Sequence, residues 1–272
     1  MQIWMQRVYG AGLTLFFALV LTACTTSSTT RTTPYTADRV TATQEANLKK
    51  AAATRLTLGI RYLNQGDYEK AKFNLDRALE QDPDSEDVHR GIAWYYEQVD
   101  EIDKAKQHYK RALSLNPRNP DLLNQYGVFL CRQGDLEASL KMFDDSASIP
   151  TNKDVSSTFE NAATCSLNAG NIETAEQFYR RALNHNPEKP DSLLGMATIE
   201  YDKGRYPRSQ AYINRYEKVG RNTPRSLWLA LRTESKLGNM DEVASYALKL
   251  QNLFPDSNET AEYLDTRTQW LK

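Results

Sequence analysis

Cysteine and histidine are both scarce, at three each in 272 residues, which leaves the chain short of the side chains most enzymes use. No HExxH, GxSxG, CxxC or Walker glycine loop occurs, so zinc proteolysis, acyl transfer and nucleotide binding lack their minimal parts. His89, His108 and His185 are scattered, and scattered histidines are packing or surface residues far more often than ligands. The reading is of a protein with no catalytic residue, no metal site and no cofactor. A surplus of one charge is also missing: 34 basic residues face 35 acidic ones, for a formal charge of −1. Phosphate binding needs a basic excess on some face, so nucleic acid is not an expected partner.

A long hydrophobic run is lacking too. Arg7 precedes an apolar stretch from Ala11 to Val20, which suits the core of a signal peptide and is too short to span a membrane comfortably. Leu21-Thr22-Ala23-Cys24 follows at once and resembles a bacterial lipobox. Residues 1–23 are therefore expected to be removed and Cys24 to carry acyl chains, palmitate included. Each buried methylene contributes about 0.8 kcal/mol, so several chains give durable anchorage where one holds only marginally. Thr25 in place of aspartate resembles outer-membrane lipoproteins of Gram-negative envelopes. Residues 24–43 are rich in Thr and Ser and interrupted by Pro34, the composition of a flexible tether.

The remainder, 44–272, is periodic. Gly66, Asp100, Gly134, Gly170, Gly204 and Gly238 stand at intervals of 34, 34, 36, 34 and 34 residues. That is the period of helix–turn–helix repeats, and it describes a chain built to bind. Before each marker lie small and aromatic residues at fixed offsets, as in Leu58, Gly59 and Tyr62. Five residues after each of the first five comes Ala71, Ala105, Ser139, Ala175 or Ser209, and four later a large apolar residue: Leu75, Tyr109, Phe143, Tyr179 or Ile213. Three repeats end in an Arg-Ala-Leu phrase followed by Pro83, Pro117 or Pro187, where proline stops one unit before the next.

Gly-Asp or Gly-Asn pairs at 66–67, 134–135, 170–171 and 238–239 join a left-handed helix stop to a side chain able to cap the next helix. The spacing predicts an all-α, right-handed α-solenoid of about six tetratricopeptide repeats at 52–85, 86–119, 120–155, 156–189, 190–223 and 224–255. The sixth is degenerate, with Val243 where a small residue belongs. A helix over 256–272 is expected to close the stack, started by a capping-box-like Asp256-Ser257-Asn258-Glu259.

In such a stack the first helix of each repeat lines a concave face through repeat positions 2, 5, 9, 12 and 13. Counted from Ala52 and Glu86, these are Leu56, Ile60, Leu63 and Asn64, then Asp87, Arg90, Trp94, Glu97 and Gln98. Repeat three places Asp121, Asn124, Val128 and Arg132 there, and repeat four Glu160, Thr164 and Asn168. An apolar groove rimmed by polar groups suits an amphipathic helix or an extended peptide. Leu56, Ile60 and Leu63 equally suit packing under a preceding helix at 43–52.

Cys131 and Cys165 are one repeat apart, near the ends of neighbouring first helices. Their positions relative to Gly134 and Gly170 differ by about half a turn, so both a disulfide and two buried thiols remain open.

The lipobox, the tether, the six repeats and the segments Asn124–Ser146 and Asn161–Leu183 together resemble the PilF/PilW family of type IV pilus biogenesis lipoproteins. Cys131 and Cys165 stand where that family carries its pair. The resemblance implies a pilotin: an outer-membrane lipoprotein, its repeats facing the periplasm, that binds the secretin subunit and helps the secretin ring to localise and assemble. Other pilus assembly proteins are further partners in that reading. Glu200, Tyr216 and Val243 depart from the repeat consensus. The other function class is a general envelope adaptor recruiting peptidoglycan hydrolases or other envelope machinery, as other lipid-anchored repeat proteins do.

Overall fold

The computed structural model describes residues 37–270, with side chains from 41 to 267. Cys24, the signal peptide and most of the tether lie outside the described residues. Residues 45–272 make one compact unit; of the other, 1–44, only the helical stretch from Ala37 is described.

Among the described residues the structure is entirely helical. The helices are α1 (Ala37–Asn64), α2 (Tyr68–Gln81), α3 (Glu86–Gln98), α4 (Ile102–Leu115), α5 (Pro120–Arg132), α6 (Leu136–Ala147), α7 (Val155–Asn168), α8 (Ile172–His185), α9 (Pro190–Asp202), α10 (Tyr206–Val219), α11 (Pro224–Leu237), α12 (Met240–Leu253) and α13 (Asn258–Trp270). They pair as six antiparallel hairpins and a closing helix, an α-solenoid. First helices also pack on first helices, α5 on α7, α7 on α9 and α9 on α11.

The six periodic markers are the turn positions. Gly66, Gly134, Gly170, Gly204 and Gly238 have φ between 70° and 80°, and Asp100 has φ 59°, the one non-glycine with positive φ among the described residues. An L-residue there carries strain of about 1–2 kcal/mol, part of which glycine returns through its freer unfolded chain. Asp100→Gly is accordingly expected to raise stability by up to about 1 kcal/mol, read as a higher denaturant midpoint; a lower midpoint would contradict this account.

Capping follows the sequence at two of the four glycine turns. Asp67 accepts from the Lys70 amide and Asp135 from the Ala138 amide, whereas Asn171 and Asn239 make no such bond. Asn239 instead donates through Nδ2 to Glu234 at 2.6 Å. At the last helix Ser257 accepts from the Thr260 amide at 3.2 Å, so α13 starts at Asn258 with Thr260, and not Glu259, as the partner of the cap.

The small residues predicted in the second helices, Ala71, Ala105, Ser139, Ala175 and Ser209, are all fully buried, and so is Val243. The core therefore admits the larger residue in the sixth repeat. Close approach also explains Gly127, where a Cβ would stand 2.8 Å from the Phe143 ring. The off-consensus residues have structural roles: Glu200 is buried beside Arg205 (3.4 Å) and Arg180 (3.8 Å), and the Tyr216 hydroxyl donates to the Arg221 carbonyl.

The start of the solenoid differs from expectation. α1 is continuous from Ala37, so the end of the expected tether is helical and no separate helix at 43–52 precedes the first repeat. The longer interval between Gly134 and Gly170 resides in the connector 148–154, against four-residue connectors such as 82–85 and 116–119. Asn152 pins it, donating to the Ser146 carbonyl (3.1 Å) and to Thr158 Oγ1 (3.2 Å).

His89 and His108, far apart in sequence, meet between α3 and α4 with their Nδ1 atoms 2.9 Å apart, while His89 Nε2 lies 3.0 Å from the Pro83 carbonyl. A carbonyl only accepts, so His89 carries its proton on Nε2 and its Nδ1 accepts from His108. Burial lowers both pKa values; that of His108 falls to about 4, with the neighbouring His89 and Lys72 adding to the effect. The unfolded imidazoles bind protons first, so this contribution is fully present above pH about 6.5 and is lost as pH falls toward about 4. Stability should drop between pH 7 and pH 5 by up to about 1.4 kcal/mol per unit per imidazole, and His108→Phe should flatten the slope. An unchanged slope in the variant would reject the assignment.

Candidate functional site

The concave side of the first three repeats holds a cavity of about 400 Å³, within the roughly 300–1,000 Å³ of typical ligand sites. Its wall is formed by α1 (Leu56, Ile60), α3 (Asp87, Arg90, Gly91, Trp94, Glu97) and α5 (Asn124, Gln125, Val128, Arg132), with Tyr109 from α4. The repeat register accounts for most of it, because positions 2, 5 and 9 recur on one helical face.

Gly91 brings α3 against α1: a Cβ there would stand 2.5 Å from Leu56 Cδ1 and 3.3 Å from Ile60 Cδ1. Without a side chain at 91, those two residues reach the cavity and make its apolar floor. Leu56 also packs on the core formed by Leu75, Ala78, Val88 and Ile92, so it serves groove and core together.

Of the remaining residues expected on the concave face, Leu63 is buried in the core near the first turn and Asn64 and Gln98 are exposed; these three, like Asp121, Glu160, Thr164 and Asn168, do not line the cavity. Asn64 ends α1 and Gln98 ends α3, past the cavity's edge.

One side of the cavity is polar and preorganised. Glu97 accepts from the Tyr109 hydroxyl and from Arg132 Nη1 at 3.1 Å. Burial raises the Glu97 pKa against the opposing pull of these two partners, and burial together with the Glu97 charge raises that of Tyr109. Arg132 is 61% exposed whereas Glu97 is 8% exposed, so the guanidinium stands at the rim over a covered carboxylate. On the other side Arg90 pairs with Glu86 and Asp87. The arrangement can hold an amphipathic segment by its apolar face and orient it through polar edges; it offers no nucleophile poised beside a base.

Gly91, Tyr109 and Gln125 line the cavity from outside the concave register positions. Tyr109 occupies the large apolar position of a second helix, which sequence alone reads as packing; only its length carries the hydroxyl through to the concave side. The cysteines, in contrast, join: Cys131 and Cys165 form a disulfide between α5 and α7 with their Cα atoms 5.8 Å apart. Ser139 Oγ lies 3.3 Å from the Cys165 sulfur. Among the described residues no group of three or more His, Cys, Asp or Glu side chains is placed to hold a metal ion, and no helix is long and apolar enough to cross a membrane.

Comparison with known proteins bears on these features. A tetratricopeptide-repeat family model matches residues 62–107 and 166–234, and a model of YpiA-like C-terminal tetratricopeptide repeats matches 89–146. The type IV pilus assembly protein PilF of Pseudomonas aeruginosa is 30% identical over 253 residues, 93% of this chain and 97% of that one. A solved structure of Pseudomonas aeruginosa PilF superposes with a TM-score of 0.70 over 80% of this chain and 99% of that one, at 30% identity. The structure of PilW, described as a widely conserved type IV pilus biogenesis factor, superposes with a TM-score of 0.69 over 78% and 98%, at 27% identity.

Proposed function

The chain belongs to the PilF/PilW family of tetratricopeptide-repeat proteins of type IV pilus biogenesis, and from that premise we propose that it is a pilotin: an outer-membrane lipoprotein, anchored through Cys24 with its repeats in the periplasm, that binds the secretin subunit and promotes assembly of the secretin ring. The observation that carries the proposal is the groove, an apolar floor of Leu56, Ile60, Trp94 and Val128 beside the polar wall of Glu97, Tyr109 and Arg132. Such a surface serves binding without chemistry. The lipid would hold the solenoid at the membrane where the ring forms, and the groove would capture a short amphipathic segment of the subunit.

Two measurements test this reading. Cys24→Ala is expected to release the mature protein from membrane fractions while the solenoid still folds; retention of the variant after a high-salt wash would remove the anchor from the proposal. Affinity capture of the lipidated protein from envelopes is expected to co-elute secretin. Recovery of peptidoglycan hydrolases without secretin would replace the pilotin with a general envelope adaptor.

A further inference from the structure

The register that locates the groove, applied to the sixth repeat from Pro224, places Arg225, Trp228, Arg232, Ser235 and Lys236 at the concave positions of α11. Three of the five are cations on one helical face. Among the described residues none of the three lies within ion-pair distance of a carboxylate, although most cations of the early repeats are paired. Arg232 lies over the Tyr201 ring of α9, Cζ 4.5 Å from its centroid, and makes no hydrogen bond. The ring holds the guanidinium by its face and leaves the N–H donors along its edge for an incoming acceptor.

Arg225, exposed in the first turn of α11, continues the same face. Burial pushes the Tyr179 phenol up, against the pull of its hydrogen bond with Thr164 of α7 at 3.2 Å and, more weakly, of the Arg225 charge. Asp191 and Asp202 of α9 share the register but lie beyond 4.0 Å of the three cations, and Glu160 of α7 is already engaged by Ser192 and Lys189.

The wider charge pattern has the same sense. From Lys189 to Lys236 ten basic residues face five acidic ones, and of those five Glu200 and Glu234 are buried; from Asp67 to Ala105 twelve acidic residues face five basic ones. Over whole repeats the contrast is smaller but keeps its sign: eleven basic residues face twelve acidic ones in 52–119, and ten face seven in 190–255.

We propose that the α11 stripe of Arg225, Arg232 and Lys236 is a second docking surface, separate from the early groove, for an acidic polypeptide segment of a partner. Carboxylates fit because guanidinium groups bind them in charge-assisted, often bidentate pairs, and because no carboxylate among the described residues is paired with these cations. A partner carrying an apolar segment for the early groove and an acidic one for α11 would be held at two points of a single curved face, with the avidity that follows.

The test uses the full mature chain and a fluorescent poly-glutamate peptide, with poly-glutamine of equal length as reference. Poly-glutamate is expected to bind at least about tenfold more tightly than poly-glutamine, and more weakly as salt rises from about 50 to about 300 mM. Arg225→Gln/Arg232→Gln/Lys236→Gln should lose about tenfold or more of that affinity, while Trp94→Ala, which tests the groove, should leave it unchanged. Arg225→Gln/Lys236→Gln, which keeps the Arg232–Tyr201 contact, gives the same reading should the triple variant melt early.

Equal binding of the two peptides would overturn the proposal, as would an equal loss from Arg208→Gln/Lys218→Gln on the exposed face of α10. Binding of phosphatidylglycerol vesicles through the same three residues, without poly-glutamate binding, would overturn it in favour of a lipid surface.

Discussion

With the Cys131–Cys165 bond reduced, the solenoid is expected to lose about 2–4 kcal/mol of stability, the usual contribution of a native disulfide. The bond spans 34 residues and ties α5 to α7 across the interface with the longest inter-repeat connector, 148–154. In a stack whose repeats contact only their neighbours, stability is a sum of repeat and interface terms, so a weakened interface separates the parts on either side of it. Chemical denaturation of the reduced protein should show both a lower midpoint and a broader transition. Cys131→Ser/Cys165→Ser should behave as the reduced form in either buffer. Two reactive thiols in denatured, oxidised protein, or a midpoint indifferent to reductant, would show that the bond is not made.

The largest functional effect is expected in the groove. Ile60→Asp puts a carboxylate into the apolar floor beside Leu56, in a cavity whose one covered carboxylate, Glu97, already uses both Tyr109 and Arg132. A partner segment would have to desolvate the new charge without a counter-ion, a loss of several kcal/mol in binding. Trp94→Ala removes the large aromatic anchor and should weaken secretin capture by about 2 kcal/mol or more, roughly thirtyfold. Circular dichroism and melting must show the solenoid intact, since deleting a large buried side chain alone can cost about 3–5 kcal/mol. Folded variants that still assemble secretin multimers at the normal level would move the partner site off the groove.

The proposed lipid anchor and the groove are expected to act separately. Loss of membrane attachment in Cys24→Ala with secretin capture preserved would mean that the two devices act independently, the lipid setting location and the repeats setting the partner.

The sequence by itself determined the architecture, because a solenoid is built from short-range information. A residue with φ near 75° must be glycine or a tolerant substitute, a close helix crossing needs a small side chain, and both demands recur every 34 residues. The positions of Leu56, Ile60, Arg90 and Trp94 on the concave face followed from the same register. What only the tertiary structure decided lies where contacts cross between elements. Leu63 obeys the register yet is core, because it stands where α1 closes onto the turn. Tyr109 reads as packing yet reaches the groove, because its phenol extends past its own helix to Glu97. His89 and His108 look scattered but touch, since α3 and α4 fold back on each other. The half-turn offset of the cysteines left their bond undecided until the packing of α5 on α7 set their Cα atoms 5.8 Å apart. Periodicity specifies which face a side chain occupies; how far it reaches, and what it meets there, depends on the distance between helices that no local pattern encodes.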